Sequence, residues 1–166
     1  MVSPTRRALV NELAEHERLV EIGVGDRPGV ARALTERGSR VVAVDVKPGD
    51  RTLAAARETE NEAIDGSLRV RREDVLALAA GETERDADFF ANADGRIAID
   101  AVYACHLPAE LQRPTVKFAE RLDAVCVFTT LGFEEPVVPV SRRSVEGASL
   151  YVARDGGRGE RSSAPE

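Results

Sequence analysis

The segment 19–29, LVEIGVGDRPG, decides the fold, because a short apolar strand runs directly into a glycine-rich turn. Residues 28–37, which follow the turn, have the apolar spacing of a helix, and Gly38 stands where such a helix would stop. The next apolar segment, 40–46, is rich in β-branched residues, which is typical of a strand buried on both faces. This order predicts two parallel strands joined by a right-handed helical crossover.

The rest of the chain repeats the alternation of strands and helices. Further helices are predicted over 6–18, 51–63, 75–80 and 87–92, and another helix, interrupted at Pro114, ends near Leu122. Further strands are predicted over 68–72, 124–129 and 148–153, and the segment 97–105 is predicted to contain another. The pattern indicates an α/β fold, a three-layer Rossmann-like, mostly parallel sheet with helices on both faces. We expect residues 1–153 to form one such domain and 154–166 to form a disordered tail.

The composition limits the class of protein. The chain has 166 residues, of which 43% are hydrophobic and 31% charged, enough for one domain with a sizeable core. No apolar run approaches the roughly 20 residues of a membrane helix, and the start lacks the apolar core of a signal peptide. Two cysteines cannot form a disulfide framework or a complete zinc site. We therefore expect a cytoplasmic protein with reduced thiols, no membrane partner and no metal.

The charge balance bears on the source and on partners. Acidic residues number 29 against 23 basic ones, for a net charge of −6, and Lys47 and Lys117 are the only lysines. This acidic, arginine-for-lysine composition would suit a salt-loving archaeon. A net negative surface disfavours steering toward nucleic acid, and the chain has no tryptophan on which bases could stack. Nucleic acid is therefore not the expected partner.

The candidate binding site follows from the sheet. Ligands of such folds bind outside the carboxyl ends of the strands, where Gly23, Gly25 and Asp45 fall. Glycines allow a ligand to approach the backbone closely, and a carboxylate 20 residues after Gly25 can accept both hydroxyls of a ribose. The combination indicates a nucleoside-containing ligand. The alternative is a purely structural glycine turn.

Three features disfavour a dinucleotide in this turn. The third glycine, Gly29, is one position late, Pro28 lacks an amide, and Asp26 puts a negative charge where two phosphates would lie. The segment instead resembles the first motif of Rossmann-like methyltransferases that use S-adenosylmethionine, in which an acidic residue, here Glu21, precedes Gly-x-Gly. That ligand has no phosphate, and its positive groups tolerate acidic neighbours.

The resemblance assigns roles to further residues. It implies that Asp45 holds the ribose and that Asp74 lies near the adenine, although Asp74 can also cap the helix 75–80. The segments 21–25, 42–46, 100–103 and 108–111, together with Asp74, resemble an archaeal uncharacterised protein family, family 0146, of short Rossmann-like chains. The similarity spans roughly residues 8–153. It implies the fold and an adenosyl ligand but no established reaction, and the chain departs from the family pattern at His106 and Leu107.

The residues that could carry chemistry are few. His106 follows the fourth strand and could act as a general base near neutral pH, or it could simply be a solvated loop residue. Its neighbour Cys105 would point away from it on extended backbone, which makes a poor nucleophile and base pair. Three functions remain open: an S-adenosylmethionine-binding protein with methyltransferase activity, a non-catalytic binding or subunit-like module, and a nicotinamide oxidoreductase. The sequence does not indicate a methyl acceptor or an oligomeric state.

Overall fold

The computed structural model describes residues 3–62, 64–81, 98–145 and 147–155. Within these ranges one sheet contains seven strands: β1 (Arg18–Ile22), β2 (Arg40–Asp45), β3 (Ser67–Arg72), β4 (Ala101–Ala104), β5 (Val125–Phe128), β6 (Ser141–Val145) and β7 (Ala148–Arg154). The same ranges contain five helices: α1 (Pro4–Leu13), α2 (Gly29–Glu36), α3 (Asp50–Glu60), α4 (Val75–Ala80) and α5 (Ala109–Leu122). None of these helices is long and apolar enough to cross a membrane.

The sheet confirms the predicted α/β fold. Its strand order is β3-β2-β1-β4-β5-β7-β6, in which β1 to β5 run parallel and β7 is antiparallel to both β5 and β6. After β1 the chain builds outward through β2 and β3, and β4 then pairs with the other side of β1. The strand order therefore reverses at β1, and in such sheets the crevice at this reversal is where ligands bind.

Helices cover both faces of the sheet. On one face, Leu13 of α1, Leu34 of α2 and Ala55 of α3 pack with Leu19 of β1. On the other face, Leu78 of α4 and Phe118 of α5 pack with alternate residues of the same strands. Because successive strand residues point to opposite faces, Val20 and Ile22 join the second core while Leu19 and Glu21 face the side of α1 and α2.

Two element boundaries differ from the prediction for local reasons. Helix α1 begins at Pro4 rather than at residue 6, because Ser3 caps it by accepting a hydrogen bond from the Arg6 N–H at 3.1 Å. It ends at Leu13, earlier than residue 18. Strand β4 lies within the predicted segment 97–105, and the carboxylate of Asp100, just before it, accepts hydrogen bonds from the backbone of residues 17 and 18.

Helix α5 is continuous, so the predicted interruption at Pro114 is wrong. A proline inside a helix removes one backbone hydrogen bond and crowds the preceding turn. Here Phe118, Ala119 and Leu122 are buried in the core, and this packing holds the helix on both sides of the proline.

The carboxy-terminal hairpin contains a strand that the sequence pattern did not predict. Strand β6 has the sequence SRRSV and is exposed, since it lies at the edge of the sheet, where charged residues prevent pairing with other chains. Strand β7 ends at Arg154, whose guanidinium donates to the Ala124 carbonyl at 2.9 Å, so the ordered domain includes this residue. Residues 156–166 of the predicted tail and the predicted helix 87–92 lie outside the described residues.

Candidate functional site

A cleft of about 590 Å³ opens at the carboxyl ends of β1 and β4, at the reversal of the strand order. We call it the first cleft. Helix α1, the glycine turn after β1 and the segment after β4 all contribute residues to its lining. Its polar and glycine lining comprises Ser3, Thr5, Arg6, Glu21, Gly23, Gly25, Asp26, Arg27, Cys105, His106 and Thr129.

The glycine turn depends on left-handed backbone and on Asp45. Gly23 and Gly25 have φ values of 72° and 56°, which glycine adopts without steric cost. The Asp45 carboxylate accepts hydrogen bonds from the N–H of Gly25 and the N–H of Lys47, both at 2.8 Å. A Cβ on Gly23 would meet nothing within 4 Å, so this glycine leaves open space on the cleft side of the turn.

Asp26 links the turn to α3. Its carboxylate accepts a hydrogen bond from the Arg51 N–H at 2.7 Å in the first turn of that helix, where negative charge is favourable. A Cβ on Gly49 would lie 2.3 Å from the Asp26 carboxylate, so glycine at that position makes room for this cap. Pro28 occupies the N-cap position of α2, so the amide that it lacks is that of the capping residue, directly before the first helical residue.

A buried carboxyl group lies at the base of the first cleft. The Glu21 side chain is 2% exposed, and the Tyr103 hydroxyl donates a hydrogen bond to it at 2.7 Å. Burial raises the pKa of Glu21 to about 7, while the Tyr103 hydrogen bond and the Arg6 guanidinium partly lower it. Arg6 also packs against Gly29, where a Cβ would lie 3.0 Å from its guanidinium. The cleft is therefore lined by both an acidic group, the Glu21 carboxyl, and a basic group, the Arg6 guanidinium.

The two cysteines do not supply a nucleophile. Both are free, and burial raises the pKa of each thiol, that of Cys126 to about 12 and that of Cys105 further still. Both thiols are therefore protonated at neutral pH. In the parts of the chain that the structure describes, no group of three or more histidine, cysteine, aspartate or glutamate residues could hold a metal ion.

His106 lines the first cleft together with Glu21 and the glycine turn. Its backbone is left-handed, with φ 54°, a conformation that is uncommon for residues other than glycine, and its N–H donates to the Thr129 hydroxyl at 2.8 Å. Among the described residues, no carboxylate accepts a hydrogen bond from its imidazole. The described site therefore contains no carboxylate that would orient the ring.

The predicted site residues divide into two groups. Glu21, Gly23, Gly25 and His106 line one cleft, whereas Asp45 is hydrogen-bonded to the glycine turn at Gly25 without lining the cleft itself. Asp74 does not line that cleft either. It caps α4, accepting a hydrogen bond from the Leu76 N–H at 2.9 Å.

Sequence reasoning missed several cleft residues, among them Thr129 and Arg6. Thr129 directly follows β5, so the rule that ligands bind at the carboxyl ends of strands could have found it. Arg6 carried no local signal, because only the tertiary fold brings α1 over the glycine turn.

Several solved methyltransferase structures have a similar fold. The S-adenosylmethionine-dependent methyltransferase SibL in its apo form gives a TM-score of 0.58 at 16% identity, covering 92% of this chain, which spans only 55% of SibL. A methyltransferase from Geobacter sulfurreducens gives 0.56 at 17% identity, with 93% and 79% of the two chains covered. An RNA methyltransferase from Salinibacter ruber in complex with S-adenosyl-L-homocysteine gives 0.50 at 18% identity, covering 93% and 95%. At these identities the similarity establishes the fold alone.

Closer relatives share the sequence along almost its whole length. Two UPF0146 proteins from Halobacterium salinarum, of strains R1 and NRC-1, are each 41% identical over 156 residues, covering 93% of this chain and 99% of the relative. Their source is a salt-loving archaeon, in keeping with the acidic, arginine-rich composition. The profile of the Uncharacterised protein family (UPF0146) matches residues 4–76 and 85–155. The chain therefore belongs to this family, as the motifs around the glycine turn and Asp45 predicted.

Proposed function

We propose that this protein binds S-adenosylmethionine, or a related adenosyl ligand, in the first cleft and transfers the methyl group to an acceptor. The observation that carries the proposal is the left-handed turn at Gly23 and Gly25, open on its cleft side and set above the buried carboxyl group of Glu21. A cationic ligand without phosphate would complement the carboxyl group of Glu21. We further propose that the protein acts in the cytoplasm, where its two free thiols would stay reduced.

The charges of the cleft match the methionyl part of the ligand. The sulfonium and ammonium groups would lie toward Glu21, and the carboxylate would lie toward the Arg6 guanidinium of α1. The ribose hydroxyls would then reach Asp45, whose carboxylate oxygens each have a further lone pair after accepting one backbone hydrogen bond.

The adenine would extend beyond the first cleft. Val46 and Leu76 are 60% and 56% exposed, although both side chains are apolar. Val46 directly follows β2, next to Asp45, and Leu76 lies in the first turn of α4, close to Asp74. The Glu73 N–H donates to the Asp45 carbonyl at 3.0 Å, which brings these two strand ends together. This arrangement would suit a purine, because Val46 and Leu76 could flank the flat ring and the Asp74 carboxylate could accept a hydrogen bond from its amino group.

Positioning would supply most of the catalytic effect. A bound sulfonium supplies an activated methyl group, and an acceptor held in line with it reacts with little further assistance. The absence of an orienting carboxylate at His106, within the described site, is therefore compatible with transfer. The same observation favours the second candidate, a binding module of this fold that retains the ligand but performs no transfer.

A thermal-shift comparison tests the ligand. S-adenosylmethionine, S-adenosylhomocysteine, NAD and ATP are each added in high-salt buffer at about 100 times the expected dissociation constant. We expect only S-adenosylmethionine and S-adenosylhomocysteine to stabilise the protein. The expected stabilisation is about 2.7 kcal/mol, which corresponds to a rise in Tm of roughly 5–10 °C. A shift with NAD and none with the adenosyl compounds would contradict the proposal.

Replacing Asp45 by alanine tests the ribose contact. We expect adenosyl-ligand affinity to fall at least about tenfold, because each charged hydrogen bond contributes roughly 1.5–3 kcal/mol. Stability should also fall by about 1–3 kcal/mol, since two backbone N–H groups lose their acceptor. Asp45→Asn serves as the control, because its carbonyl can still accept from Gly25. Calorimetric titration of both folded variants provides the measurement, and unchanged affinity in Asp45→Ala would limit this residue to shaping the turn.

A further inference from the structure

A second cleft of about 460 Å³ lies beside the first and is continuous with it. Thr5, His106 and Thr129 line both. The second cleft extends from this shared boundary toward the hairpin of β6 and β7 and the loop that precedes it. A small molecule in the second cleft would therefore meet a ligand of the first cleft at His106 and Thr129.

Two side chains of the second cleft are available to a ligand. The Phe133 ring is completely exposed, at 101%, on the loop after β5, which is unusual for an aromatic residue without a partner. Arg142 on β6 donates through Nε to the Ser149 hydroxyl at 3.1 Å, and no described residue accepts from its two terminal nitrogens. Its neighbour Arg143 differs, because it points to the face of α1 and forms an ion pair with Glu12.

We propose that the second cleft is the acceptor site and that it takes a planar aromatic ring bearing an anionic group. The ring would stack on Phe133, and the anion would accept hydrogen bonds from the free edge of the Arg142 guanidinium. Glu135, also in the lining, would accept from a hydroxyl or amino group on the ring. This proposal rests on the proposed function, since it places the acceptor next to the methyl donor.

The transfer step balances with these groups alone. A lone pair of the acceptor's hydroxyl or amino group forms a bond to the methyl carbon, and the carbon–sulfur bond breaks with its electron pair remaining on sulfur. The product in the first cleft is the neutral thioether, S-adenosylhomocysteine. The proton of the acceptor passes to the His106 imidazole at the shared boundary or to water.

Binding of defined probes tests the acceptor site. The probes are 4-hydroxybenzoate and 6-hydroxy-2-naphthoate, with phenol, which lacks the anion, and cyclohexanecarboxylate, which lacks the planar ring, as comparisons. Binding is followed by ligand-observed NMR, with and without saturating S-adenosylhomocysteine. We expect the two aromatic anions to bind more tightly than either comparison, and we expect Arg142→Gln and Phe133→Ala each to weaken them by about tenfold.

Matched variants separate this proposal from the proposed function. Arg143→Gln removes the adjacent arginine on the other face, and Leu131→Ala removes an apolar side chain of the same loop that is 57% exposed and outside the lining. Neither should alter probe binding, and none of the four variants should alter the thermal shift with S-adenosylmethionine. If that shift is present but the aromatic anions do not bind, or bind equally to all variants, the acceptor site is wrong. If that shift is absent from the wild-type protein, the proposed function itself fails.

Discussion

Replacing Glu21 by glutamine is expected to raise the free energy of unfolding by about 3 kcal/mol at pH 8 and by almost nothing at pH 4. The wild-type carboxyl group is buried, and this burial raises its pKa from 4.5 to about 7. A glutamine has no charge to bury at any pH, and its carbonyl oxygen can still accept the hydrogen bond from Tyr103. The variant is therefore expected to be more stable because it has no buried charge.

The sign follows from the protons bound in each state. Below about pH 4.5 the carboxyl group is protonated in both the folded and the unfolded chain, so it contributes no pH dependence. Between about pH 4.5 and pH 7 the unfolded chain loses this proton while the folded protein retains it, so the stability of the wild type falls as the pH rises. Above about pH 7 the full cost is present, roughly 1.4 kcal/mol for each unit of raised pKa.

Urea unfolding of both proteins between pH 4 and pH 8.5 in high salt measures the difference. Glu60→Gln on the exposed end of α3 is the control, and we expect its effect to stay within about 0.5 kcal/mol. A glutamine variant at position 21 that is no more stable than wild type at pH 8 would contradict the buried charge.

The same variant should bind S-adenosylmethionine at least about tenfold more weakly, because a neutral amide cannot attract the sulfonium. A group that destabilises the fold and strengthens binding is typical of a functional site.

The fold was predictable because its strands are buried. Strand β2 is a run of β-branched and small residues between two polar ends, and this pattern reports burial on both faces regardless of what lies around it. Strand β6 was not predictable for the opposite reason, because an edge strand of serines and arginines has the composition of a loop. The continuity of α5 through Pro114 was not predictable, because a local rule for helix ends cannot include the packing of α5 against the core.

The candidate site was predictable only where it is local. The glycine turn and Asp45 lie at strand ends that the sequence pattern located, and their mutual hydrogen bond follows from that placement. Arg6 and the Tyr103 partner of Glu21 come from distant segments, so no spacing indicated them. The burial of Glu21 also depends on its tertiary surroundings, which turn a motif residue into a carboxyl group with a raised pKa.

Replacing Gly23 by alanine is expected to reduce S-adenosylmethionine affinity on the order of 100-fold, because the added methyl group would project into the open side of the turn where the ligand would approach. Gly38→Ala is a close control. Gly38 also has positive φ, at 100° against 72°, and a Cβ there also meets nothing within 4 Å, but it lies at the end of α2 and outside the cleft lining. Each variant should lose about 1–2 kcal/mol of stability from backbone strain, so unfolding measurements should not distinguish them. Titration calorimetry with S-adenosylmethionine should distinguish the two variants, because only the Gly23 variant blocks the cleft. Equal affinities in the two folded variants would show that the ligand does not approach this turn, and the glycines would then serve only its backbone geometry.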